Sequence, residues 1–282
     1  MDKPNHKKPI EKGFATFIGR KWERRLPNIV EAPPLQTVKV ANVSERFTAE
    51  EAARMAEPHT PDSFVICCID SRFQPDKALD YGPGTALEYR TIACVIPPVD
   101  RADTDLKSKM AFRRLKGIEN IVLVCHSDCG GAHAALTVPQ PDPESEDDLH
   151  TVSSFVHTSG LDISCVGTAF MTAEQGDIRK AGDMLAREVG VKSLHNLLSY
   201  KGRDGHATVG EEVKSGALNV MLLYYDLVQR SFDLYDPGAG AWKHTAACDW
   251  IGLKSKTSMH SCAETSRQVA VNLRKPYDGS RK

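Results

Sequence analysis

Apolar and polar positions change rhythm several times along this chain, and each change predicts an element. Phe14, Phe17, Ile18 and Trp22 recur at helical spacing, which predicts an amphipathic arm over residues 14–25, closed off by Pro33 and Pro34. A second helix is predicted over residues 48–55, with Thr48 as its N-cap. The rhythm then becomes continuous. Residues 63–69 (SFVICCI) are almost wholly apolar and include β-branched side chains, which suits a strand buried on both faces of a parallel sheet. Residues 88–95 predict a second strand, 105–116 a helix stopped by Gly117, and 121–125 (IVLVC) a third buried strand. A Gly130-Gly131 turn then leads into a short helix over 132–136.

The stretch 137–160 is rich in Pro, Asp, Glu and Ser and reads as a loop or insertion. Residues 181–200 are helical in pattern, with apolar Met184, Leu185, Val189, Leu194, Leu197 and Leu198. Residues 217–225 and 231–235 predict a hairpin-like edge, with the break at 226–230, and beyond Pro237 the pattern weakens. Alternating apolar strands and helical stretches predict an α/β fold built on a mainly parallel sheet with flanking helices. No internal repeat is visible. The expected organisation is an N-terminal helical arm (1–47), one body (48–236) that carries the chemistry, and a C-terminal extension (237–282).

Composition narrows the partners. Of the 282 residues, 41% are hydrophobic and 26% charged, with a net charge of -1, so there is no global basic bias toward nucleic acid. Both ends are basic and residues 142–148 (DPESEDD) are acidic; such runs are most often solvated surface. No stretch approaches the roughly 18 apolar residues of a membrane span, and the apolar stretch near residues 14–18 is too short for a secretory signal. The expectation is a cytoplasmic protein. Eight Cys in a chain of this length do not make a disulfide scaffold, which leaves metal binding or burial as their roles.

Three of the metal-binding candidates converge. Cys68 ends the first buried strand, and His126 and Cys129 follow the third in the segment CHSDCGG. The C-terminal ends of parallel strands are where open α/β sheets gather their ligands. Two thiolates and one imidazole suit zinc, and three protein ligands leave a fourth position open. Cys68 alone would be an inert buried thiol, and His126 alone a structural histidine. The run Cys68-Ile69-Asp70-Ser71-Arg72 changes that reading: Asp70 can bind the metal or accept a hydrogen bond from its bound water, and Arg72 can hold Asp70 ionised and oriented.

At these residues the sequence resembles the β-class carbonic anhydrases. CIDSR (68–72) matches that family's Cys-x-Asp-Ser-Arg motif, and HSDCGG (126–131) its His-x-x-Cys-Gly motif. PGTALEYR with Ala93 and Ile96-Pro97-Pro98, SLHNLLSY (193–200) and GALNVMLLYYD (216–226) resemble its linking segment, late helix and closing strand, so the likeness spans roughly residues 50–236. The resemblance implies a mainly parallel sheet with an antiparallel edge strand and an N-terminal helical arm that embraces a dimer partner. It also implies one zinc per chain on Cys68, His126 and Cys129, and an Asp70–Arg72 dyad. The reaction it implies is reversible hydration of carbon dioxide to bicarbonate and a proton, by a homodimer or higher even oligomer; charge and hydropathy add the expectation of no nucleic-acid and no membrane partner.

Several positions depart from the family. Gly82 stands where its members commonly carry Gln or Glu before Pro-Gly, and Thr91 and Cys94 replace amides in an Arg-Asn-x-Ala-Asn segment. Two alternatives therefore accompany the main reading: hydrolysis of carbonyl sulfide or carbon disulfide at the same zinc, and a non-catalytic zinc protein for assembly or sensing. His244, Cys248, His260 and Cys262 fit no strong metal template. Cys67 and Cys125 read as packing residues beside the ligands, and His133 and His150 are candidate proton relays.

Overall fold

The computed structural model describes residues 47–202 and 205–245. The arm over 14–25, Cys248, His260 and Cys262 lie outside them. Among the described residues six strands form one sheet in the order β2-β1-β3-β4-β5-β6. These are β1 (Ser63–Cys68), β2 (Ala86–Thr91), β3 (Asn120–His126), β4 (Asn219–Asp226), β5 (Ser231–Asp236) and β6 (Ala241–Thr245). The first four in sheet order run parallel, and β5 and β6 add antiparallel. Every residue of β1 and β3 is buried, as their unbroken apolar runs predict for central parallel strands. The strand β6 lies within the 237–282 extension, where the apolar pattern is weak: only Trp242 of its side chains packs against the core.

The helices are α1 (Ala49–Ala56), α2 (Pro75–Ala78), α3 (Thr104–Lys116), α4 (Gly130–Thr137), α5 (Asp148–His157), α6 (Ile163–Ala173), α7 (Ile178–Leu197) and α8 (Val209–Ser215). Thr48 caps α1 through a reciprocal capping box with Glu51. Gly117 ends α3 in the left-handed conformation. None of these helices is long and apolar enough to cross a membrane.

Two expectations are corrected. The second strand stops at Thr91 instead of Val95, because Ile92–Cys94 form a tight turn with Ala93 and Cys94 at φ 53° and 57°. Residues 137–160 are not a bare loop, since Asp148–His157 form α5. The acidic run ends in a cap: the Asp147 carboxylate accepts from the Leu149 and His150 N–H groups, and its charge complements the helix N-terminus. Ser153 then ties α5 to the Val138 carbonyl at 2.7 Å. Helix α6 lies in a stretch with no predicted element: Asp162 caps it by accepting from Cys165 N–H, and Ile163 and Gly167 bury one of its faces.

Alternation along the strands splits the core into two layers. Ile66, Leu123, Cys125 and Leu222 face the layer that includes α7, while Val65, Cys67, Val122, Val124 and Leu223 face Phe73, Leu79 and Phe232. Cys67 and Cys68 thus point to opposite sides, as expected of neighbours on a strand. Helix α7 lies close to the sheet at Gly190, where a Cβ would stand only 3.0 Å from Cys125 Sγ.

One buried ion pair ties α3 to α8. Arg113, wholly buried, donates to Glu212 at 3.2 Å and to the Ile118 carbonyl. Glu212→Ala leaves that guanidinium buried without its carboxylate and is expected to cost about 3–5 kcal/mol. Urea unfolding measures this; a loss under about 1 kcal/mol, the scale of an exposed pair, would show that water reaches Arg113.

Candidate active site

Strand ends and one helix start bring the predicted ligands together. Cys68 is the last residue of β1, His126 the last of β3, and Cys129 the N-cap of α4. Because β1 and β3 are parallel neighbours, their C-terminal ends open on the same edge of the sheet. The ligand atoms of Cys68, His126 and Cys129 lie within 4.8 Å of one another, and all three residues are buried. They form the one such group of metal-binding type found among the described residues.

The donor chemistry fits a thiophilic metal such as zinc. His126 Nδ1 lies 2.8 Å from the Ser127 carbonyl. A carbonyl only accepts, so Nδ1 carries a proton, and in the neutral ring that a metal requires Nε2 holds the free lone pair. That Nε2 is buried with no hydrogen-bond partner, a costly state unless something else binds it. The two sulfurs are 4.0 Å apart. A hydrogen bond from Cys68, then the N–H groups of Ala132 and Gly131, pull the Cys129 thiol below its ordinary value; the same contact and burial push the Cys68 thiol up. Of the two thiols Cys129 is thus the readier to ionise, and metal binding draws the proton from both.

Asp70 stands at the mouth. Its Oδ2 is 4.0 Å from His126 Nε2. Three donors of Arg72 grip it: Nε donates to Oδ1 at 3.0 Å and to Oδ2 at 3.3 Å, Nη2 to Oδ2 at 2.7 Å, and the backbone N–H to Oδ1 at 2.8 Å. Burial raises the Asp70 pKa, but these bonds outweigh it and hold the carboxyl below its usual range. The backbone of the same loop is held by Arg90, which donates to the carbonyls of Cys68, Asp70 and Phe73.

The glycine pair after Cys129 starts α4 instead of forming a turn before it. A Cβ on Gly131 would stand 2.6 Å from Ile92 Cγ2 and 3.1 Å from Ala93 Cβ, so α4 touches the tight turn after β2 only because Gly131 has no side chain. Gly131→Ala is expected to cost about 1–3 kcal/mol through overpacking. It should also loosen metal binding by shifting Cys129; thermal melting and chelator competition would show both, and an unchanged melting point would mean that Ile92 moves aside freely.

The family pattern described as carbonic anhydrase matches residues 63–231, more than half of the chain. The chain belongs to the β-carbonic anhydrase family. It is 34% identical over 186 residues to beta carbonic anhydrase 5, chloroplastic, of Arabidopsis thaliana, covering 65% of this chain and 57% of that relative. The chain thus spans little more than half of that relative's length. The fold is similar to the solved β-carbonic anhydrase CcaA, with a TM-score of 0.59 at 19% identity, over 72% of this chain and 85% of that one. It is also similar to a structure reported for two tetrameric β-carbonic anhydrases of Sordaria macrospora, with a TM-score of 0.51 at 22% identity, over 72% and 90% of the two chains.

Positions that depart from the family can now be placed. Gly82 has the Arg54 guanidinium of α1 beside it, with Nη1 3.0 Å from where a Cβ would stand. Thr91 pairs in register with Cys68, and the Cys94 thiol donates to the Ile66 carbonyl at 3.4 Å, inside the core. Of the candidate relays, His150 Nδ1 accepts from the Asp142 N–H at 3.0 Å and braces its own loop. His133 lies closer, its Nε2 3.9 Å from Asp128 Oδ1, and burial lowers its pKa. His244 sits on β6 beside Asp233.

Asp128 is a site residue that sequence reasoning passed over. Arg72 Nη1 donates to its Oδ2, and Nη2 to its carbonyl, both at 2.8 Å. Its position inside HSDCGG was the available signal. Asp183 of α7, which accepts from the Asp128 N–H at 2.6 Å, had no signal in the sequence at all.

Proposed function

We propose that the protein catalyses the reversible hydration of carbon dioxide to bicarbonate and a proton, with one zinc per chain on Cys68, His126 and Cys129. The observation that carries this reading is the buried, bare Nε2 of His126 among two sulfurs, with the Asp70 carboxylate 4.0 Å away. Bound zinc supplies a water whose pKa is lowered from 15.7 to about 7.

The chain's own residues do the rest. Ionised Asp70 accepts a hydrogen bond from the attacking water and aligns its lone pair on the carbon of CO2. Arg72 keeps Asp70 ionised and in place. Arg72 is itself half exposed, so the dyad stands at a solvent-facing edge where buffer can take the released proton. Two thiolates donate more charge than histidines would and make the water less acidic, so activity should keep rising with pH above neutrality as the water ionises. The tetrameric relative and the family's dimer-based habit support an even oligomer as the working assembly.

The test is stopped-flow CO2 hydration from about pH 6.5 to 9, bracketing the pKa near 7 of such a water, with zinc assayed on the same sample and carbonyl sulfide and carbon disulfide run in parallel. Activity that rises with pH at about one zinc per chain is expected. Stoichiometric zinc with turnover of carbonyl sulfide alone would overturn the substrate, and no turnover of any of the three would leave a binding role.

A further inference from the structure

The turn between the two ligands at the end of β3 is left-handed at Asp128, with φ 54°. Aspartate tolerates this conformation better than most side chains, but it does not hold it unaided. Two groups from elsewhere in the fold grip the turn. The Asp183 carboxylate on α7 accepts from the Asp128 N–H at 2.6 Å, and the Arg72 guanidinium binds both the Asp128 carboxylate and its carbonyl. Arg72 serves Asp70 with the other edge of its fork. One guanidinium thus bridges the loop after Cys68, which carries Asp70, and the turn between His126 and Cys129, which carries Asp128.

The placement of Asp70 then depends on Arg72, that of Arg72 on Asp128, and that of Asp128 on α7. We propose that Asp183 is a positioning residue for the hydration reaction: through the Asp128 backbone it sets where Arg72, and hence Asp70, stands relative to the metal ligands. The inference rests on the reading of Asp70 as the group that orients the attacking water. Neighbouring contacts fix Asp183 in place. It sits beside Gly182, whose missing side chain makes room for the His133 ring, since a Cβ there would stand 2.3 Å from it. The α7 backbone is therefore seated directly against α4. The Tyr224 hydroxyl, which burial and the Asp183 charge keep protonated, is a second donor toward the same carboxylate. Partners that orient a metal ligand directly usually cost about 10–100-fold when removed, and Asp183 holds the turn that joins two such ligands.

The experiment compares Asp183→Ala, Asp183→Asn and Asp128→Gly with the wild-type, zinc-loaded protein. Its readouts are kcat and KM for CO2, zinc affinity by chelator competition, and melting temperature. Asp183→Ala is expected to lower kcat and zinc affinity each by roughly 10–100-fold with KM little changed. Asp183→Asn keeps an oxygen to accept from the Asp128 N–H and should recover most of both. Asp128→Gly keeps the left-handed backbone but removes the second carboxylate from Arg72, so kcat should fall while zinc affinity stays within a few-fold of wild type.

Loss of melting temperature alone in Asp183→Ala, with kcat and zinc affinity unmoved, would overturn the proposal. So would an Asp183→Asn as impaired as the alanine variant, or a fully active Asp128→Gly; these two also decide the matter if Asp183→Ala does not fold. A wild-type protein that binds zinc but hydrates no CO2 would refute the proposed function instead. The chelator arm would still then show whether Asp183 shapes the ligand turn.

Discussion

Cys129→Ser should yield a folded protein almost free of zinc. Cys129 occupies the N-cap of α4, where serine is a favoured residue, so the helix start survives the exchange. What the exchange removes is the donor. The Cys129 sulfur is drawn toward the thiolate by Cys68 and by the N–H groups at the start of α4, whereas a serine hydroxyl stays protonated and offers a harder, neutral oxygen. Loss of an outer-shell partner costs about 10–100-fold in metal affinity, and loss of a direct ligand should exceed about 100-fold. Metal analysis after dialysis, with far-ultraviolet circular dichroism on the same sample, separates loss of metal from loss of fold. Retention of about one zinc per chain would show that the ligand set differs from Cys68, His126 and Cys129.

Asp70→Asn is the second large effect, and it should act on the reaction while sparing the metal. Asparagine matches aspartate in shape but carries no charge, so it accepts from Arg72 less strongly and presents no anion toward the metal. Arg72 keeps its two contacts to Asp128, so the ligand loops should remain tied. Positioned acid–base groups contribute roughly 10²–10⁴-fold, and a fall of that order in kcat/KM for CO2 is expected in the zinc-loaded variant. If zinc-loaded Asp70→Asn kept more than about a tenth of wild-type activity, short of that 10²-fold range, Asp70 would be a structural carboxylate that shapes its loop.

The two predictions draw on different kinds of information. The Cys68–His126–Cys129 cluster and the Asp70–Arg72 pair were legible because the chemistry lies in short stretches: CIDSR places a thiol, a carboxylate and a guanidinium within five residues, and HSDCGG places an imidazole and a thiol within four. The central strands were legible for a similar reason. A strand buried on both faces needs an unbroken apolar run, and SFVICC and IVLVC are such runs. Likewise, Thr48 and Gly117 mark the ends of α1 and α3 by rules that operate within a few residues.

What escaped was decided by contacts between distant segments. No local preference ends β2 at Thr91; the turn at Ala93 and Cys94 packs against α4 at Gly131, a contact between segments far apart in the chain. The acidic stretch before α5 looks like solvated loop until its last aspartates meet a helix start, and the pairing of Ser153 with Val138 is invisible along the chain. Strand β6 has a weak pattern of its own and owes its place to pairing with β5 and to Trp242 packing against Tyr224 and Tyr235. The grip of Asp183 on Asp128 spans 55 residues and joins a helix face to a left-handed turn. The sequence by itself determined which atoms are available to bind a metal and orient a water, because donor chemistry is a property of single side chains. Only the tertiary structure decided how those atoms are held in register, because a hydrogen bond between residues far apart exists only once the backbone has brought them within about 3 Å.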